Sequence, residues 1–220
     1  HLFPSAKLST ADVESHWVGL RPLIRQLGKG PSEISRKDEI FKYDSGLVSI
    51  AGGKLSGYRK MAERIVNLAA VRLRQRDKRT FGPCQTHRIP VSGGTVGGSA
   101  GYAAFVQGKI RQGVLLGLEA TEAEALSRFY GANVPIVYEY LKGISTNQAA
   151  YGLPPALLAQ LRYSIEHEMA TCPADFFVRR TGALYFNIEW VRHWEEAVWT
   201  YFAQEMQWPH ETAARNRNIV

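Results

Sequence analysis

The sequence contains little cysteine and no long apolar run. Its 220 residues include two cysteines, Cys84 and Cys172, which lie too far apart for a redox or metal-binding pair. This excludes a disulfide-rich scaffold and predicts a reducing, cytoplasmic setting. No stretch approaches the roughly 18 apolar residues of a membrane span, and the start is too short and polar for a signal peptide. Because the chain begins at His1 without a methionine, we expect a fragment of a longer protein.

The sequence also lacks the short motifs that mark the common cofactor sites. Neither the phosphate-binding G-x-x-x-x-G-K-[ST] loop nor the dinucleotide-binding G-x-G-x-x-G pattern occurs. The histidines follow no metal-ligand spacing, so no metal site is predicted. The basic run Arg72–Arg79 lacks interleaved aromatic residues, which makes nucleic acid the least favoured partner.

Positive charge is concentrated in the first part of the chain. Residues 1–90 carry 17 Lys and Arg against 8 Asp and Glu, whereas residues 91–220 carry 10 against 12. A basic part joined to a nearly neutral part indicates an anionic partner for the first. A phosphate-bearing ligand and an anionic membrane surface both fit this charge.

The most informative segment is the run from Leu47 to Tyr58. A short apolar stretch meets Gly52-Gly53, and an amphipathic pattern follows. We expect a buried strand that turns through the glycines into a helix beginning near Lys54. Glycine lets a ligand approach the backbone closely, and a helix start presents N–H groups to an anion. The alternative is only a tight turn where a helix packs on a sheet.

Two arginines before this junction are further candidates. Arg21 lies in an apolar stretch, where a buried charge needs a carboxylate, carbonyl groups or an anionic ligand. Arg36 lies in a charged run. An internal salt bridge for Arg21 and simple solvation for Arg36 are the alternatives.

The coarse organisation is a sheet remnant followed by helices. Asp44-Ser45-Gly46 predicts a hairpin between strands at 39–43 and 47–51, and the helix after it should run to about Gln75. Residues 80–99 read as a glycine- and proline-rich linker. Further helices are predicted near 100–116, 121–131, 133–143, 154–169, 174–181 and 187–206. The fold class is therefore α+β, with a hairpin and helix in residues 1–79 and an all-α domain in residues 100–220.

Several of these segments resemble the FAD-dependent glycerol-3-phosphate dehydrogenases of the Bacillus type. The resemblance rests on three runs and one later motif: W-V-G-L-R-P-L at 17–23, S-E-I-S-R at 32–36, I-A-G-G-K-L-S-G-Y-R-K-M-A-E at 50–63, and P-A-D-F-F-V-R-R-T at 173–181. It implies that residues 1–79 end an FAD- and substrate-binding domain and that residues 100–220 form the C-terminal domain. The implied reaction oxidises sn-glycerol 3-phosphate to dihydroxyacetone phosphate and passes electrons to quinone.

The resemblance also implies roles for individual residues. Arg21 would be catalytic and bind substrate, and Arg36 and Lys54 would bind substrate as well. The FAD contacts would come from Gly52, Gly53, Lys54, Leu55 and Ser56. Gly57 departs from the family pattern, which often has a threonine there. Because the N-terminal dinucleotide motif is absent, we expect this fragment alone to be inactive and to need its own N-terminal region.

Three further expectations and two alternatives accompany this interpretation. We expect a cytoplasmic enzyme, with peripheral contact to the inner face of the cell membrane and a homodimer. One alternative is an oxygen-using glycerophosphate oxidase. The other is a helical docking or regulatory module without chemistry.

Overall fold

The computed structural model of the chain divides into two compact units. The helical unit comprises His1–Trp17 and Val91–Val220, and the hairpin unit comprises Val18–Pro90. The structure describes residues 5, 7–14, 16–20, 24, 28, 30, 37–143 and 151–217. Within the helical unit, the short segment before the hairpin contains a 3₁₀ turn, Thr10–Asp12, which Ser9 caps.

Two antiparallel strands form the sheet of the hairpin unit. Strand β1 spans Asp38–Lys42 and β2 spans Val48–Gly52, with Ile40 opposite Ile50. The predicted Asp44-Ser45-Gly46 turn closes the hairpin, since Tyr43 N–H donates to the Leu47 carbonyl at 3.0 Å. The predicted hairpin is therefore confirmed, with strand ends that differ by one residue.

The long helix of this unit follows the hairpin after a short turn. A 3₁₀ turn, Leu55–Gly57, leads into α1, Tyr58–Asp77, so the α-helix begins four residues later than predicted. Gly57 provides no side-chain cap, and a tighter turn is common at such a helix start. The expectation of a buried strand is wrong, because the residues of β2 are half-buried or exposed and β1 is the only strand of the described residues that pairs with it.

The helical unit contains the remaining helices. They are α2 (Gly98–Leu115), α3 (Ala120–Tyr130), α4 (Val134–Lys142), α5 (Pro155–Glu168), a π-helix (Asp175–Arg180), α6 (Ala183–Phe186), α7 (Ile188–Glu205) and α8 (His210–Arg217). The predicted helices are found close to these bounds, whereas the short α6 and the polar α8 were not predicted. The segment predicted as α-helix at 174–181 forms a π-helix.

Helix α5 lies between two hydrophobic clusters. Leu157, Leu158 and Leu161 pack with aromatic side chains of the π-helix and α7, among them Phe177 and Phe202. The small residues of α5 pack instead against α3 and α4. A helix that is apolar on several faces is typical of a buried position. Burial of these side chains is the main stabilising contribution in this unit.

The predicted fold class is confirmed as a hairpin with one helix, followed by an all-α part. Among the described residues, none of the helices combines the length and apolar character needed to cross a bilayer. The predicted boundaries at residues 79, 80–99 and 100 stay predictions.

Candidate functional site

The strand–Gly-Gly–Lys–helix junction carries the predicted site, and its first glycine is required by packing. Gly52 has φ +80°, a left-handed conformation that side chains rarely adopt. A Cβ atom at this position would lie 2.5 Å from the Lys37 carbonyl oxygen and 2.9 Å from Ile24 Cδ1. The chain entering β1 therefore passes directly against Gly52. Sequence reasoning missed Lys37, whose contact follows from the register of the hairpin.

The second glycine allows α1 to pack on the junction. Gly53 has φ +81°, and a Cβ atom there would lie 2.6 Å from the sulfur of Met61, one turn into α1. Its N–H donates to the Lys37 carbonyl at 3.3 Å. Because this N–H is used within the chain, packing alone explains both glycines. A ligand is not needed to account for them.

The residues after the glycines are the ones that face solvent. Lys54 is extended, with φ −103° and ψ 146°, and its carbonyl accepts the Gly57 N–H at 2.8 Å. Lys54, Leu55 and Ser56 are all exposed, and Leu55 is 90% exposed despite its apolar side chain. The first N–H groups of a helix have no intrahelical acceptor. Here the 3₁₀ turn supplies two acceptors, since the Gly57 N–H donates to the Lys54 carbonyl and the Tyr58 N–H donates to the Leu55 carbonyl.

Most basic side chains near this helix start already have carboxylate partners. Arg59 and Lys60 both reach Glu63, each at 2.9 Å, and Arg64 pairs with Asp38 of β1. Hydrogen bonds from Lys60 and then Arg59 lower the pKa of Glu63. Within the described part of the chain, no carboxylate pairs with Lys54. Its ammonium group is therefore available to an anion.

This arrangement can bind and stabilise negative charge. An exposed ammonium and the positive end of the α1 dipole lie at one helix start. The described residues contain no cluster of three or more His, Cys, Asp or Glu that could hold a metal ion. The geometry thus favours an anionic or electron-rich ligand.

The structure tests the predicted site residues unevenly. Gly52, Gly53, Lys54, Leu55 and Ser56 form one continuous segment, as their sequence positions require. The predicted catalytic and substrate-binding residue Arg21 and the predicted substrate-binding residue Arg36 lie outside the described residues. The roles of all seven stay predictions.

A second concave surface lies in the helical unit. A cavity of about 280 Å³ is bordered by the 91–96 loop, by Tyr102 of α2 and by the end of α3. Arg128 is its charged lining residue, and that guanidinium is already held by Glu124 at 2.7 Å. The cavity is open and mostly apolar, so it does not indicate a particular ligand.

The polar side chains of the P-A-D-F-F-V-R-R-T motif form their hydrogen bonds within the helical unit. The Asp175 carboxylate accepts hydrogen bonds from the N–H and hydroxyl of Thr171 and from Arg179, each at 2.8 Å. Thr181 donates its hydroxyl hydrogen to the Phe176 carbonyl, and Arg180 donates to the Glu168 carbonyl. These polar groups therefore hold the π-helix in place.

Known proteins match almost the whole chain. The family described as the C-terminal domain of alpha-glycerophosphate oxidase matches residues 84–213. The aerobic glycerol-3-phosphate dehydrogenase of Bacillus subtilis (strain 168) is 48% identical over 218 residues, which are 99% of this chain and 39% of that protein. The enzyme of the same name from Staphylococcus haemolyticus (strain JCSC1435) is also 48% identical, over 198 residues, covering 90% of this chain and 35% of that protein.

A solved structure matches in both sequence and fold. The X-ray structure of the glycerol-3-phosphate dehydrogenase from Bacillus halodurans complexed with FAD has 47% sequence identity and a TM-score of 0.85. The match covers 98% of this chain and 40% of that chain. The chain thus spans about two fifths of the length of these relatives. It belongs to the family of alpha-glycerophosphate oxidases and aerobic glycerol-3-phosphate dehydrogenases, and it corresponds to a C-terminal part of these proteins.

Proposed function

We propose that this chain is the C-terminal part of an FAD-dependent enzyme that oxidises sn-glycerol 3-phosphate to dihydroxyacetone phosphate. The observation that carries the proposal is the match over almost the whole chain to aerobic glycerol-3-phosphate dehydrogenases and to a glycerol-3-phosphate dehydrogenase that was solved with FAD. The exposed helix start with Lys54 supports it, since both a substrate phosphate and a reduced flavin carry negative charge. Substrate turnover requires the N-terminal region of the same protein.

The residues of the junction fit an FAD site. When bound, FAD accepts a hydride from the alcohol carbon of the substrate. The positive end of the α1 dipole would stabilise the negative charge that develops on the flavin ring. Lys54 would donate charge-assisted hydrogen bonds to the substrate phosphate. Arg21 and Arg36 would complete the pocket for the anionic substrate, as the family resemblance implies.

The electron acceptor admits two candidates. We propose quinone, because the relatives are named aerobic glycerol-3-phosphate dehydrogenases. Molecular oxygen is the second candidate, and the family description as an alpha-glycerophosphate oxidase favours it. Quinone reduction and oxygen consumption, measured with the same enzyme and substrate, distinguish the two.

We also propose a cytoplasmic enzyme that contacts the inner face of the membrane. The basic end of α1 supports this, because Arg74, Lys78 and Arg79 are exposed there and anionic lipids attract such clusters. Homodimer formation is part of the same proposal. Co-sedimentation with anionic vesicles and light scattering test the two points separately.

A chimera tests the main proposal. This chain replaces the matching C-terminal segment of the Bacillus subtilis enzyme, and the intact relative serves as the positive control. We expect the purified chimera to carry flavin and to reduce a dye with glycerol 3-phosphate but not with glycerol. A chimera that folds with a normal melting transition but contains no flavin would favour a docking module without chemistry.

A further inference from the structure

The end of α5 contains a carboxylate that the proposed reaction does not use. Glu168 is the last residue of α5, and its Oε2 atom is buried without a hydrogen bond from any described residue. The residue as a whole is half-buried, but a carboxylate oxygen that is buried without a hydrogen bond makes ionisation costly. The end of a helix also repels negative charge, because the macrodipole is negative there. Both effects act against ionised Glu168.

The Arg180 guanidinium bonds the backbone of Glu168 and not its carboxylate. Arg180 of the π-helix donates Nε–H to the Glu168 carbonyl oxygen at 2.8 Å, and a second guanidinium N–H donates to the same oxygen. This contact closes the C-terminus of α5 and joins it to the π-helix. Arg180 still attracts the carboxylate through space, but it gives no ion pair within bonding distance.

Two tyrosines and one histidine interact electrostatically with Glu168. Tyr130 of α3 and Tyr163 of α5 pack edge to face at 5.0 Å, and His167 stacks on Tyr163. Burial is the main cause that raises the pKa of Tyr130 and of Tyr163, and the charge of Glu168 adds to both. Burial likewise raises the pKa of Glu168, while Arg180 and His167 oppose that shift.

We propose that Glu168 makes the helical unit sensitive to pH. Protonated Glu168 places no charge on the buried Oε2 atom at the end of α5. Ionised Glu168 places an unpaired charge there and destabilises the end of α5. On ionisation the proton passes to solvent, and no other group is required.

The direction of the effect follows from linkage. The folded state holds the Glu168 proton more tightly than the unfolded state, whose pKa is about 4.3. The stabilisation from protonated Glu168 is therefore fully present below that value. It is lost as pH rises through the folded pKa of Glu168, and it stays absent above that pKa.

Glu168→Gln tests the proposal, because glutamine keeps the shape and removes the charge. We expect the variant to melt about 2–4 °C higher than the parent chain at pH 7.5 and to lose part of the fall in melting temperature between pH 4 and 8. Glu195→Gln, at an exposed position of α7, is the matched control and should change neither quantity. Hydrogen exchange of peptides covering residues 164–181, measured in the chimera, gives a second readout that does not require the isolated chain to melt cooperatively.

Two outcomes would overturn the proposal. A lower melting temperature for Glu168→Gln at pH 7.5 would mean that the ionised carboxylate is paired and stabilising. An unchanged pH profile, together with unchanged exchange at residues 164–181, would mean that Glu168 does not titrate within this range.

Discussion

The helical unit and the hairpin unit differ in what they bury. The described residues of the hairpin unit include no fully buried side chain, and even Val66 on α1 is 63% exposed. The helical unit buries Phe176, Phe177 and Phe202 completely. One unit has its own core, and the other has a hairpin and a helix without one.

This difference in burial indicates that the two units are stabilised in different ways. A two-stranded hairpin is marginally stable in water at best, because it lacks a second layer to cover its apolar face. The relatives are more than twice as long as this chain. We infer that the rest of the protein covers the hairpin unit, where the candidate site lies. The helical unit stabilises itself.

The largest expected effect comes from separating the units. Residues 91–217 should retain a cooperative thermal transition, whereas residues 37–90 should show none, because they have no core to lose. Circular dichroism at 222 nm during heating measures both. Cooperative melting of the isolated 37–90 segment would contradict the claim that the hairpin unit lacks a core of its own.

Truncating single side chains should also distinguish the two units, with a smaller effect on stability than physical separation. Phe177→Ala removes a fully buried ring from the helical unit and should lower the free energy of unfolding by about 3–5 kcal/mol. Val66→Ala on the exposed face of α1 should change it by less than about 0.5 kcal/mol. Urea unfolding of the two variants measures both values. Similar losses would show that α1 is covered in the chain itself.

A smaller, local effect is expected at the glycine junction. Gly52→Ala introduces a Cβ atom at positive φ against the Lys37 carbonyl. The substitution should lower the free energy of unfolding by about 1–3 kcal/mol. Gly57→Ala is the matched control, because φ there is −92° and no neighbouring atom lies within 4 Å of the added carbon. In the chimera, flavin content and melting temperature should fall only for Gly52→Ala. Equal flavin contents and melting temperatures for the two variants would contradict a packing role for Gly52.

The local pattern was enough to predict the hairpin and most helices. A turn sequence such as Asp44-Ser45-Gly46 between two runs of β-forming residues commonly gives a hairpin, and the structure contains this hairpin. Helix α8 was missed because its residues are mostly polar, and Arg217 attaches it to α7 through Glu196 and the Trp199 ring. The helix at 174–181 was predicted, but its π-helical hydrogen bonds, which join residues five apart, were not, because a segment of six residues is too short to show a distinct period.

The candidate site was predictable only where it is continuous in sequence. Gly52 to Ser56 follow one another, so the sequence places them together. The contact of Gly52 with Lys37 depends on strand register, and that of Gly53 with Met61 depends on how α1 packs. The exposure of β2 could not be predicted from its apolar residues, since burial depends on neighbouring strands, and the described residues place only β1 beside β2.

The most direct test of the account is the Michaelis constant for glycerol 3-phosphate in the chimera with Lys54→Ala. Loss of a hydrogen bond from a charged group predicts an increase of about 10- to 100-fold, with flavin content retained. Lys42→Ala, at an exposed position of β1, should leave the constant unchanged. An unchanged constant for Lys54→Ala in a folded, flavin-loaded enzyme would contradict the claim that this helix start binds the substrate phosphate.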